Sequence, residues 1–251
     1  MLEARGLTAG YGGGRIIVDG VDIDARAGEV VTIIGQNGAG KSTLLKGIFN
    51  MVPVRRGSVR LDGAEVFDQR PDRLLAGGLA YIPQNHSIFP KLTVAENLRM
   101  GGFLLRDQRL LAERIGEVEA MFPILVERRD EYAAGLSGGE QRMLEIARTL
   151  LMAPKVIMLD EPSIGLAPRL VDQVFQTVRT LAEQGKAMLM VEQNVKKALA
   201  ASDRGYVLEL GQVKLHDRAD RLLADDRTAQ LYMGARPGGA APSAEAPEGR
   251  P

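Results

Sequence analysis

The chain has no cysteine in its 251 residues, which excludes disulfides and thiolate metal sites. That absence is compatible with a reducing compartment. An excess of charge is also missing. Lys and Arg together number 32, as do Asp and Glu, so no global basic field argues for a nucleic-acid partner. No run approaches the ~20 apolar residues that a membrane-spanning helix needs. The N-terminus, Met-Leu-Glu-Ala-Arg-Gly, lacks the apolar core of a signal peptide. No internal repeat is detectable. These absences lead us to expect a soluble chain that reaches any membrane role through a partner. The remaining composition, 45% hydrophobic and 25% charged, is that of a globular protein. The length suffices for a substantial core in one large domain or two small ones.

One stretch organises the rest. Gly35-Gln36-Asn37-Gly38-Ala39-Gly40-Lys41-Ser42-Thr43 fits the pattern G-x-x-x-x-G-K-[ST]. The β-branched run Glu29 to Ile34 precedes it and a helical pattern follows from Lys41, which is the strand, loop and helix order the motif requires. Glycines in such a loop let backbone N–H groups curl around phosphate oxygens, and the helix N-terminus adds partial positive charge. Lys41 is expected to reach the β- and γ-phosphates, and the Ser42 hydroxyl to ligate Mg²⁺. The expectation is nucleotide binding.

In chain order, residues 2–34 read as β-structure, with Val18, Val21 and Ile23 in rough alternation and a turn at Gly28. Tyr11 lies in a loop before Gly12-Gly13-Gly14. A hairpin is expected over Gly57–Val66, turning at Asp62-Gly63, and a further strand over Leu79–Gln84. From about residue 87 the pattern becomes helical. Thr93 with Glu96 and Ser137 with Glu140 make capping boxes, and Gln108 to Phe122 is helical in character. The second box opens a helix that Pro154 ends. Residues 87–153 are therefore expected to form a helical subdomain inserted in an α/β core. Val156-Ile-Met-Leu-Asp160 reads as a buried parallel strand with its carboxylate at the rim. A helix near 168–184, a strand at 187–191 and a hairpin around Gly211 complete a domain over residues 1–235. Residues 236–251, rich in Pro, Gly, Ala and Glu, read as a disordered tail.

Two acids stand at the end of the apolar strand. Asp160 is expected to hold Mg²⁺ and Glu161 to orient and deprotonate the attacking water. Leu136-Ser137-Gly138-Gly139-Glu140 followed by Gln141 is a well-capped helix start with anion-binding character.

That last segment resembles the signature motif of ABC-type ATPases. The family combines it with the loop at Gly35–Thr43, a glutamine at Gln84 and the pair Asp160-Glu161, in this order and spacing, and the resemblance covers about residues 1–235. It implies a P-loop ABC-type nucleotide-binding domain with a β-rich N-terminal part and the inserted helical subdomain. It also implies ATP and Mg²⁺ as ligands, with Tyr11 stacking on adenine. Gln84 would approach Mg²⁺ and the attacking water. Ser137, Gly138 and Gly139 would bind the ATP held by an opposite subunit, in a head-to-tail dimer with two ATPs at the interface.

Two departures from that pattern stand out. The usual switch histidine is replaced by Gln193 in Val191-Glu-Gln-Asn194, and the chain's only histidines, His86 and His216, lie elsewhere. Glutamine can donate a neutral hydrogen bond to a γ-phosphate oxygen but cannot become cationic. The segment after Glu161, Pro-Ser-Ile-Gly-Leu-Ala167, lacks the aspartate that usually joins the two sites. These same segments, with Asp203–Glu209, Glu96–Gly102 and Met121-Phe-Pro123, are similar to the shorter ATPase of branched-chain amino acid importers. The resemblance then implies permease subunits, a second, paralogous ATPase and, indirectly, an extracytoplasmic amino-acid-binding protein. It places the chain peripherally on the cytoplasmic face of the cell membrane. Related importers of urea and short amides stay open, as does an ATP-gated subunit without useful hydrolysis. A soluble ABC-type ATPase of ribosomes or DNA is a further alternative, though such proteins usually carry tandem cassettes or a long coiled-coil insertion, and this chain has neither.

Overall fold

The structure is a computed structural model and describes residues 1–233 except Gly13 and His86. The tail expected over 236–251 lies outside the described residues. The chain begins with β1 (Leu2–Gly10), β2 (Ile16–Ala25) and β3 (Val30–Ile34), followed by α1 (Lys41–Ile48). Next come the hairpin β4 (Val54–Leu61) and β5 (Ala64–Glu65), then α2 (Pro71–Ala76) and β6 (Leu79–Ile82). Four helices follow: α3 (Val94–Gly101), α4 (Gln108–Met121), α5 (Pro123–Glu127) and α6 (Gly138–Leu150). After them come β7 (Val156–Asp160), α7 (Pro168–Glu183), β8 (Ala187–Val191) and α8 (Val195–Ala200). The described chain closes with β9 (Arg204–Glu209), β10 (Gln212–Arg218), α9 (Ala219–Ala224) and α10 (Asp226–Met233).

The strands form two sheets. An antiparallel sheet has the order β2-β1-β4-β5, and a second runs β10-β9-β3-β8-β7-β6. In the second, β9, β3, β8, β7 and β6 are mutually parallel and β10 returns antiparallel to β9. Every residue of β3, β7 and β8 is buried, which explains why these strands read as continuous apolar runs rather than alternating ones. The parallel arrangement brings the carboxyl ends of β3, β6, β7 and β8 to one edge of the sheet, where open α/β folds place ligands.

Local chemistry accounts for the turns and helix starts. Asp62 and Gly63 both have positive φ, +50° and +81°, the two-residue hairpin geometry whose twist matches the flanking strands. Thr93 Oγ1 accepts from Glu96 N at 3.2 Å while Glu96 Oε2 accepts from Thr93 N at 2.7 Å. Ser137 and Glu140 repeat this reciprocal cap at the start of α6.

Two ends differ from expectation. β6 stops at Ile82 rather than Gln84, since Pro83 has no N–H for the ladder. The Ser137 helix stops at Leu150, with Ala153 at φ +46°, because the residue before Pro154 is disfavoured in helical conformation. Among the described residues no helix is long and apolar enough to cross a membrane.

Candidate active site

Gly35 follows β3 and has to be glycine. Its φ is +155°, and a Cβ there would stand 2.1 Å from the Leu208 carbonyl oxygen. Gly40, at φ +102°, turns the chain into α1, whose first residue is Lys41. The Lys41 side chain folds back along the loop and donates to the carbonyl oxygens of Gly35 at 2.8 Å and Gln36 at 3.0 Å. Burial lowers its ammonium pKa, partly opposed by the Glu161, Asp160 and Glu192 carboxylates. The loop borders a cavity of about 360 Å³ lined by Tyr11, Asn37, Gly38, Gly40, Lys41, Ser42, Thr43 and Glu161. Tyr11, 45% exposed, is accessible for stacking. The remaining loop residues face elsewhere. Gln36 Nε2 donates to the Leu231 carbonyl of α10 at 3.1 Å, and Ala39 is buried, with its carbonyl accepting from Gly211 N at 2.9 Å.

Ser42 Oγ donates to Asp160 Oδ1 at 2.8 Å, so the strand-end acid and the loop hydroxyl meet across 118 residues of sequence. The other Asp160 oxygen accepts from the Tyr81 hydroxyl at 2.9 Å. Among the described residues no group of three or more His, Asp or Glu side chains gathers to hold a metal. One hydroxyl and one carboxylate of hard oxygen character fit Mg²⁺, which keeps several waters and takes its remaining ligands from phosphates.

Glu161 has φ +48°, an uncommon left-handed backbone for a glutamate. This bend breaks strand alternation directly after Asp160, and both carboxylates then face the same edge. Glu161 is 6% exposed, and its Oε2 accepts from Gln84 Nε2 at 2.8 Å and from Gln193 Nε2 at 2.7 Å. Three segments, following β6, β7 and β8, thus converge on one carboxylate oxygen.

Ser137, Gly138 and Gly139 are not brought to this cluster. They start α6 beside a different cavity, of about 540 Å³, lined by Ser137 and Glu140 with Met143 and residues of α7. The close seat of α6 on α7 explains Gly139, where a Cβ would meet Leu170 side-chain atoms at 2.7 Å.

Sequence reasoning missed three residues here. Tyr81 reads as one aromatic in an apolar strand. Arg142 and Glu145 form an ion pair of 2.8 Å with side chains at 2% and 0% exposure, and Arg142 also donates to the carbonyls of Pro83 and Gln84, both at 3.0 Å. The available signal was two charges placed among the apolar positions of α6.

Comparison with known proteins gives the family. The family model described as ABC transporter matches residues 18–164. BraG of Pseudomonas aeruginosa, a high-affinity branched-chain amino acid transport ATP-binding protein, is 39% identical, covering 93% of this chain and 100% of the relative. LivF of Archaeoglobus fulgidus, a probable branched-chain amino acid transport ATP-binding protein, is 38% identical, covering 93% and 99%. Among solved structures, the ADP conformation of the cassette MJ1267 superposes with a TM-score of 0.84 at 28% identity, covering 93% of this chain and 98% of that one. A dimeric post-hydrolysis cassette, MJ0796 bound to ADP and Pi, gives 0.75 at 26% identity, covering 87% and 99%. The chain belongs to the ABC transporter family, as one of its ATP-hydrolysing nucleotide-binding cassettes.

Proposed function

We propose that this chain energises the import of branched-chain amino acids, with residues 1–235 acting as one ATPase domain on the cytoplasmic side of a permease. The substrate class follows the printed names of BraG and LivF, each aligned over essentially its whole length. The observation that carries the catalytic reading is the grip of Gln84 and Gln193 on Glu161 Oε2 beside the Ser42–Asp160 contact. Glu161 is the base that orients and deprotonates the attacking water. Lys41, once its bonds to the loop carbonyls are exchanged for phosphate oxygens, and the loop amides stabilise charge on the transferring group. Mg²⁺ held by Ser42 and Asp160, with Gln84 nearby, would neutralise phosphate charge. Tyr11 stacks on the base.

Ser137 to Gly139 serve the ATP of a second cassette in a head-to-tail sandwich, a reading supported by their separation from the P-loop cavity and by the dimeric state of MJ0796. The second cassette is a paralogous ATPase, and an extracytoplasmic amino-acid-binding protein delivers the solute to the permease. The surface from Gln84 to Leu98 is the permease docking face.

The test is Glu161→Gln. Nucleotide binding should persist while hydrolysis falls roughly 100-fold or more; wild-type turnover would remove Glu161 from its role. Mass spectrometry of complexes from gently solubilised membranes tests the assembly, and soluble ribosomal or DNA-associated partners would overturn the importer reading.

A further inference from the structure

Glu192 stands between the last residue of β8 and Gln193, and it is 1% exposed. Its carboxylate is held on both oxygens. Ser163 N donates to Oε1 at 2.9 Å, Ser163 Oγ to Oε2 at 2.8 Å and Gln193 N to Oε2 at 3.1 Å. Asn194 N reaches the same Oε2 at 3.5 Å. Ser163 lies two residues beyond Glu161, on the loop after β7. The carboxylate therefore ties that loop to the loop after β8. Below this tie, Glu161 N donates to the Val191 carbonyl at 2.9 Å and Glu192 N to the Ile33 carbonyl at 3.3 Å. The loops bound a cavity of about 340 Å³ whose lining includes Glu161, Ser163, Glu192 and Gln193.

A glutamine side chain has rotamer freedom to lose, and its neutral amide lacks the long-range attraction that draws a cation to a carboxylate. The bond from Gln193 Nε2 to Glu161 Oε2 thus depends on where the two backbones sit relative to each other. The geometry points to Glu192 as a positioning residue that, through Ser163, locks the loops after β7 and β8 into one body and so seats Gln193 on Glu161. Glu192 touches neither substrate nor base, and the assignment rests on the reading of Glu161 and Gln193 given above. Hydrogen bonds from four donor groups to one buried carboxylate are charge-assisted, stronger than the neutral bonds of an ordinary turn. Burial raises the Glu192 pKa above its ordinary value, and the bonds from Ser163, Asn194 and Gln193 offset that rise only in part.

The experiment measures steady-state ATPase activity and, separately, nucleotide affinity of the full chain carrying Ser163→Ala, Ser163→Thr, Glu192→Gln, Ser163→Ala with Glu192→Gln, or Glu161→Gln. Ser163→Ala and Glu192→Gln should each lower kcat about 10-fold, the scale of a slightly misplaced reacting group. KM for ATP and nucleotide affinity should stay within about twofold of wild type. The combined variant should be no slower than the slower single, since both remove one tie. Ser163→Thr keeps the hydroxyl and should restore activity. Wild-type kcat in both single variants, with Glu161→Gln inactive, would overturn the positioning role and leave the proposed function standing. Losses that multiply in the combined variant, with KM raised, would also overturn it. Wild-type hydrolysis by Glu161→Gln would overturn both readings. Thermal melting identifies a variant that fails to fold; should Glu192→Gln do so, the Ser163→Ala and Ser163→Thr pair decides alone.

Discussion

Gln193 Nε2 donates to Glu161 Oε2 at 2.7 Å, so the residue standing in place of the family's usual histidine contacts the proposed base directly. Gln84 donates to the same oxygen. Neither amide titrates, so the hydrogen-bond donors on Glu161 keep their character across the physiological pH range.

Replacing Gln193 with alanine removes one donor from a buried carboxylate, at a cost of about 1.5–3 kcal/mol for a bond to a charged group, and we expect kcat to fall roughly 10-fold or more. Gln193→His should preserve or raise activity and add a step near pH 6.5 to the pH profile, where imidazole titrates. An inert alanine variant, or a histidine variant with the wild-type profile, would argue against the contact.

Arg142 clamps the backbone that carries Gln84. Arg142→Met takes the guanidinium from the buried Glu145 carboxylate, and loss of one partner from a buried pair costs about 3–5 kcal/mol. The double variant Arg142→Met, Glu145→Leu should recover most of that stability in denaturant titrations. Its turnover should stay low, because the carbonyls of Pro83 and Gln84 have still lost their donor. Wild-type turnover in the stable double variant would refute the positioning of Gln84 by Arg142.

The end of β2 is pinned to β9 by Arg204. This residue donates to Asp24 Oδ2 at 2.9 Å and to Glu29 Oε2 at 3.0 Å, while the Tyr206 hydroxyl donates to Asp24 Oδ1 at 3.0 Å. Burial pushes the Asp24 carboxyl up, but Tyr206 and Arg204 outweigh it and hold it below its ordinary value of 3.8. The charged form is thus favoured in the folded state. Its stabilisation is complete above the unfolded value and disappears as pH falls through the depressed folded one. Thermal melts should show Asp24→Asn less stable than wild type at neutral pH, by a few degrees, with the gap closing as pH drops below about 4. A gap independent of pH would contradict this linkage.

The parts legible in the sequence are those that local pattern encodes. Gly35 and Gly40 are dictated by backbone angle, Ser137 with Glu140 by a three-residue capping box, and Val156–Asp160 by burial on both faces. The adjacency of Asp160 and Glu161 at the end of an apolar strand was legible too, while the left-handed φ of Glu161 that turns both carboxylates to one edge was not. Contacts set by topology were not legible. The Gln36 amide meets Leu231, 195 residues away, and Tyr81 meets Asp160, 79 residues away, and neither pairing leaves a periodic trace. The contact of the Gln193 amide with Glu161 was not legible either, since it follows from the parallel order β8-β7, which puts the two strand ends side by side.

Tyr81 yields the most direct test of the proposed metal site. Burial and the neighbouring Asp160 carboxylate hold its phenol protonated by raising its pKa, so it acts as a fixed donor to Oδ2. That bond orients the acid whose other oxygen meets Ser42. Groups that orient a ligand from behind commonly change metal affinity 10-fold or more when removed, by a range of about 10–100. Tyr81→Phe keeps the ring, which packs 5.7 Å from Phe49 between centroids, so the core should be preserved. We expect the Mg²⁺ concentration for half-maximal ATPase activity to rise about 10-fold. The rate at saturating Mg²⁺ should recover to near wild type, since Glu161 and its two glutamines are untouched. An unshifted Mg²⁺ curve would mean that Asp160 needs no support from the phenol, and an uncorrectable loss of rate would place Tyr81 in the chemistry itself.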